Sequence, residues 1–134
     1  MYQISVTNEE IEKLELKAFE GEIVVVDKPG RACSAAIAYL KRQTMLGFDT
    51  ESKPVFEAHQ HSNGVALLQL SGPKKAYLFR VKKTGMPKGI VDILGNPNII
   101  KIGAAVGDDI RRLKRDFGFE PANFADLQTM GWEY

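Results

Sequence analysis

The sequence holds one cysteine, Cys33, so an internal disulfide is excluded and a reducing compartment fits. Cys33 lies among small residues of a helical stretch, a setting in which a thiol packs rather than reacts. Neither charge sign dominates: the balance is +1. A near-neutral total neither requires nor excludes a nucleic-acid partner, because a local basic face can hide within it. No apolar run approaches membrane-spanning length and no signal peptide opens the chain, so the expected location is the cytoplasm. There is no internal repeat or low-complexity tract, which leaves no room for a repeat array. What is present is 134 residues, 44% hydrophobic and 26% charged, the make-up of one soluble globular domain with a real core.

Thr7-Asn8-Glu9-Glu10 has the capping-box pattern, with Ile11, Leu14 and Ala18 at helical spacing behind it. A short amphipathic helix covering an edge of the domain is expected there. Glu22 to Asp27 is a β-branched run stopped by Lys28-Pro29-Gly30, and it reads as a strand buried on both faces. From Arg31 to Gln43 a helix is expected, with Cys33, Ala36, Ile37 and Leu40 on one stripe. With the strand that follows, this makes a β-α-β unit, which predicts parallel pairing and a right-handed crossover. His59 and His61 form an H-x-H pair within a polar loop, Lys53 to Gly64. Further histidine or cysteine ligands are lacking, so the pair reads as solvated rather than metal-binding.

Val65 to Ser71 and Ala76 to Val81 are predicted strands of an antiparallel hairpin, joined by a Gly72-Pro73-Lys74-Lys75 turn. Lys74, Lys75, Lys82, Lys83 and Lys88 could form a phosphate-attracting rim, or an ordinary set of solvated loops. Pro87 suits the first turn of a short helix ended by Gly95-Asn96-Pro97. Asn98 to Gly103 is a further strand, leading to a helix that buries Ile110, Leu113 and Phe117 and stops at Gly118. Asp108 is the better placed of Asp108 and Asp109 to cap that helix. Phe124 to Met130 begins one more strand or helix.

The stretch with chemical potential is Met45 to Pro54, an apolar run ending in Asp49-Thr50-Glu51. On a strand, positions i and i+2 share a face, so Asp49 and Glu51 project together while Phe48 and Thr50 face the other way. Two carboxylates so placed repel each other and resist desolvation. A hard divalent cation such as Mg²⁺ or Mn²⁺ would relieve both problems. The same spacing also occurs at solvated strand ends, and on spacing alone both readings stand.

Taken together, Gly47 to Pro54 followed by Val65 to Leu70 resembles the first motif of the DEDD-type 3′–5′ exonucleases, nearest to the ribonuclease D and Werner-syndrome exonuclease branch. Lys101-Ile102-Gly103, then Asp109, Leu113, Arg115-Asp116-Phe117-Gly118 and Asp126-Leu127, is similar to the second motif of that branch. The match runs from about Glu22 to Met130, in order. The resemblance implies an α/β, ribonuclease H-like fold, a mixed sheet flanked by helices. It implies two-metal hydrolysis, with Mg²⁺ or Mn²⁺, of the phosphodiester at DNA or RNA 3′ ends; such ions lie about 3.5–4 Å apart. Carried over by position, Asp49 and Glu51 would bind the ion pair, with Asp49 bridging. Asp109 would hold the second ion directly or through water, and Thr50 would meet the terminal nucleotide through its backbone. Without the resemblance, Asp109 reads as another helix-capping carboxylate.

Two departures from that pattern matter. Ser52 stands where the branch often has an aromatic residue that contacts the terminal base. The third motif, with the fourth metal-binding aspartate and a residue that orients the attacking water, belongs beyond Asp126, and the sequence stops at Tyr134. The expectation is therefore one domain over residues 1–134, truncated before the third motif, lacking the C-terminal helices and weakly active or inactive alone. A rival of a different class is a non-catalytic nucleic-acid-binding or interaction module with the same fold.

Overall fold

The computed structural model describes residues 20–52, 65–128 and 131–132. The expected helix from Thr7 to Ala18 and the loop holding His59 and His61 lie outside them. In chain order the elements are β1 (Glu22–Val26), α1 (Arg31–Lys41), β2 (Met45–Ser52), β3 (Val65–Ser71), β4 (Lys75–Phe79), α2 (Val81–Thr84), α3 (Lys88–Leu94), β5 (Ile100–Gly103), α4 (Val106–Phe117), β6 (Phe124–Asp126) and β7 (Gly131–Trp132). The strands form one mixed sheet of seven, in the order β1-β4-β3-β2-β5-β6-β7.

Alternation along β2 and its neighbours builds the core. Leu46 and Phe48 on β2, Leu68 and Leu70 on β3, and Tyr77 and Phe79 on β4 are buried on one face. Helices lie on that face. The ring of Tyr39 on α1 packs 5.7 Å from Tyr77, and Phe48 meets Phe124 of β6 edge-on at 5.0 Å. Ile90, Ile93 and Leu94 of α3 and Ile110 and Leu113 of α4 complete the layer. Each such side chain contributes roughly 1.5–3 kcal/mol by leaving water.

Lys101 is a charged residue within this apolar layer and is fully buried. Its Nζ donates to the carbonyls of Ile93 and Asn96, both at 2.9 Å, and lies 5.2 Å from the centre of the Phe124 ring. The ammonium thereby adds a donor to carbonyls at and just beyond the C-terminus of α3, which also accept the Asn96 and Ile99 N–H groups, both at 3.2 Å. Burial brings its pKa down to about 8.

Two expectations are corrected. β1 is not buried on both faces: it is the outer strand, with Ile23 and Val25 46% and 47% exposed. Nor do β1 and β2 pair. They run in the same direction, as the β-α-β reading requires, but β4 and β3 lie between them. The β3–β4 hairpin closes through a tight turn and takes the place beside β2, a cheaper closure than a long crossover. The returning strand, expected over Ala76 to Val81, ends at Phe79, and Val81 opens a one-turn helix, α2.

Candidate active site

Asp49, Thr50 and Glu51 lie toward the C-terminal end of β2, where parallel strands of α/β sheets place their ligands. Asp49 is half-buried and Glu51 exposed, while Thr50 points into the helix-covered face at 8% exposure. Asp49 sits opposite Gln69 of β3 and Glu51 opposite Leu67, with an irregularity in the ladder between Glu51 and Ser52. Such bulges re-aim side chains near the ends of strands.

Asp109 arrives from α4, and the residue that lets α4 come so near is Gly103. A Cβ on Gly103 would run into the Phe48 carbonyl and stand 2.9 Å from Val106 Cγ1. The chain then turns through Ala105 in the left-handed region, at φ 53°, into the helix. Asp108 does not cap α4, contrary to expectation. It is exposed and paired with Arg111 one turn on. The cap comes from β6: the buried Asp126 carboxylate accepts the Ala105 and Val106 N–H groups, both at 3.0 Å, and that of Gln128 at 2.8 Å. A carboxylate facing the exposed N–H groups of a helix start gains both hydrogen bonds and dipole stabilisation.

Asp109 is buried, at 7% exposure. Arg112, one turn further along α4, donates to its Oδ1 at 2.7 Å. Burial pushes the Asp109 carboxyl above the usual range, and the charge on Asp108 adds to the push; the Thr50 hydroxyl and Arg112 pull it back. The Thr50 approach stops short of full hydrogen-bond geometry. Thr50 Oγ1 and Arg112 Nε are the two buried side-chain polar atoms without a partner among the described residues.

The helix carboxylate therefore reaches β2 at Thr50, the residue flanked by Asp49 and Glu51. The strand pair looks toward the other face of the sheet. Among the described residues no three Asp, Glu, His or Cys side chains are gathered as a group that could hold an ion. The oxygen donors suit a hard divalent cation in kind. Burial disfavours the charged form of Asp109, and a nearby cation would favour it.

Of the predicted basic rim, Lys82 and Lys83 stand at this end of the sheet, because Phe79 pairs with Leu68 and Leu68 with Thr50. Lys74 and Lys75 stand at the opposite end, so the five lysines do not form one rim. The sequence reading missed Arg112, whose i+3 spacing from Asp109 was the available signal. It also missed Asp126 as the helix cap, for which no local signal exists.

Comparison with known proteins places the chain in a family. Residues 25–132 match the profile of the 3′–5′ exonuclease domain. The mouse (Mus musculus) bifunctional 3′–5′ exonuclease/ATP-dependent helicase WRN is 33% identical over 91 residues, covering 66% of this chain and 6% of that protein. The EXD2 exonuclease domain, in crystals soaked in Mg and GMP, superposes with a TM-score of 0.67 at 25% identity, over 81% of this chain and 58% of that one. Trypanosoma brucei RNase D in complex with RNA U12 shares the fold, with a TM-score of 0.69 at 19% identity over 90% of this chain and 41% of that one. This chain thus spans little more than half of the exonuclease domain and a small part of the longer relative. It belongs to the 3′–5′ exonuclease domain family, in the ribonuclease D and Werner-type branch.

Proposed function

We propose that this chain forms the metal-binding part of a 3′–5′ exonuclease that hydrolyses phosphodiesters at the 3′ ends of DNA or RNA. One observation carries the reading: Asp49 and Glu51 share a face at the C-terminal end of β2, and Asp109 meets the same strand at the residue between them. In this reading Asp49, Glu51 and Asp109 are the oxygen donors for Mg²⁺ or Mn²⁺. Once bound, the ions would polarise the scissile phosphate and acidify a water. The chain's own residues do the rest. Arg112 fixes the Asp109 side chain by its hydrogen bond. The exposed Lys82 and Lys83 raise the positive potential at this end of the sheet and draw in the phosphate backbone. The backbone at Thr50 meets the terminal nucleotide. Residues 1–134 act as one domain, working in the cytoplasm.

Among the described residues no helix is long and apolar enough to cross a membrane. A second reading, a binding module without catalysis, draws support from the Arg112 guanidinium, which already supplies a positive partner to Asp109. An assay with 5′-labelled DNA and RNA oligonucleotides separates the two. With Mn²⁺ the chain is expected to shorten them slowly from the 3′ end. Chelation should abolish the shortening, and Asp49→Ala should reduce it more than about a hundredfold. Retention of the oligonucleotides without shortening at any Mn²⁺ concentration favours the binding module. Shortening that survives Asp49→Ala rules out the proposed site.

A further inference from the structure

β1 closes one end of the sheet with its outer edge unpaired by any described strand. On its inner side Glu22 N–H donates to the Lys74 carbonyl at 3.0 Å, and the Val26 carbonyl accepts from Arg80 N–H at 2.9 Å. Successive residues of a strand present their backbone groups to alternate sides. Glu22, Val24 and Val26 therefore face β4, and Ile23 and Val25 direct their N–H and C=O groups outward. These two residues and Met45 are the exposed large hydrophobics among the described residues. Within Glu22–Val26 there is no proline and no lysine, and the pairing with β4 runs five residues without a shift; Glu22 is the one charged residue of the strand.

We propose that this edge is a homodimer interface, in which β1 of a second copy of the chain pairs antiparallel to β1 about a two-fold axis at Val24. Only the register centred on Val24 pairs all five residues of both strands. It sets Ile23 of each copy opposite Val25 of the other as hydrogen-bonded pairs, four N–H···O=C bonds in all, with apolar side chains in contact across the axis. Beyond the two strand ends, the same register leaves Glu20 of each copy on the side of Lys28 of the other, opposite charges at each end. A parallel arrangement would instead stack Glu20 on Glu20, and it would not close. Self-complementarity of shape, hydrogen bonding and charge in a single register singles out a second copy as the occupant.

Sedimentation velocity across a concentration series, with two kinds of variant, tests the proposal. The chain is expected to shift from monomer to dimer at roughly micromolar or higher concentration, since so short an edge gives a weak dimer. Val25→Lys should weaken association about tenfold or more, leaving circular dichroism and Tm unchanged because that side chain is exposed. Under oxidised glutathione, Val24→Cys should form an intermolecular disulfide, because facing residues of a non-hydrogen-bonded pair lie within disulfide reach. Asp27→Cys, off the axis, should not, and the native Cys33 is buried. A chain that stays monomeric throughout, a dimer indifferent to Val25→Lys, or equal cross-linking of both cysteine variants would overturn the proposal.

Discussion

Asp109 is a residue whose position costs the fold something at neutral pH. Burial raises its folded-state pKa above the unfolded value, so the native chain binds that proton more tightly than the unfolded chain does. The sign follows directly. Above the folded-state pKa the buried charge lowers stability, and the deficit shrinks as pH falls toward the ordinary carboxylate range. Asp109→Asn keeps an oxygen for Arg112 and removes the charge. It is expected to raise Tm at pH 7 by roughly 1–3 °C and to have a smaller effect near pH 4, measured by thermal unfolding at both pH values. A lower Tm at pH 7 would mean that the Arg112 pair outweighs desolvation. Tension of this kind, stability conceded where charge is kept, is common at functional sites.

At the scale of elements, α4 is positioned by contacts distant in sequence. Gly103 allows the close approach, Asp126 caps the start, and Asp116 near the other end accepts the Val65 N–H at 3.1 Å and so ties the helix to β3. The two candidate caps make opposite forecasts. Asp126→Ala strips acceptors from three backbone N–H groups and is expected to cost about 2–3 kcal/mol, with faster hydrogen exchange at Ala105 and Val106. Asp108→Ala, which loses only an exposed ion pair, should cost under about 0.5 kcal/mol. Chemical denaturation of both variants distinguishes them, and the reverse ranking would restore Asp108 as the cap.

Local patterning made most elements legible. The α1 stripe, the β3–β4 hairpin and the i, i+2 placement of Asp49 and Glu51 all follow from periods of 3.6 and 2. What stayed hidden depends on neighbours in space. Whether Ile23 and Val25 are covered is decided by the place of β1 in the sheet, and a β-branched run looks the same in the middle or at the edge. Lys101 looks like a surface lysine until the end of α3 and the turn after it bring the Ile93 and Asn96 carbonyls to it.

At the scale of the whole molecule, α1, α3 and α4 cover one face of the sheet, and Asp49 and Glu51 look out from the other. On that second face Leu67, Gln69 and Leu78 are half-buried. The family resemblance was legible because its two motifs fall in order along the chain. How Asp109 would join Asp49 and Glu51 was not, since strand and helix carboxylates approach β2 from its two sides. A shared cation is the central claim, and Mn²⁺ binding followed by the loss of its free-ion paramagnetic resonance tests it most directly. The unaltered chain should bind Mn²⁺, with affinity falling at least about tenfold in Asp49→Ala and also in Asp109→Asn. Identical binding curves for all three proteins would contradict a site shared by these carboxylates.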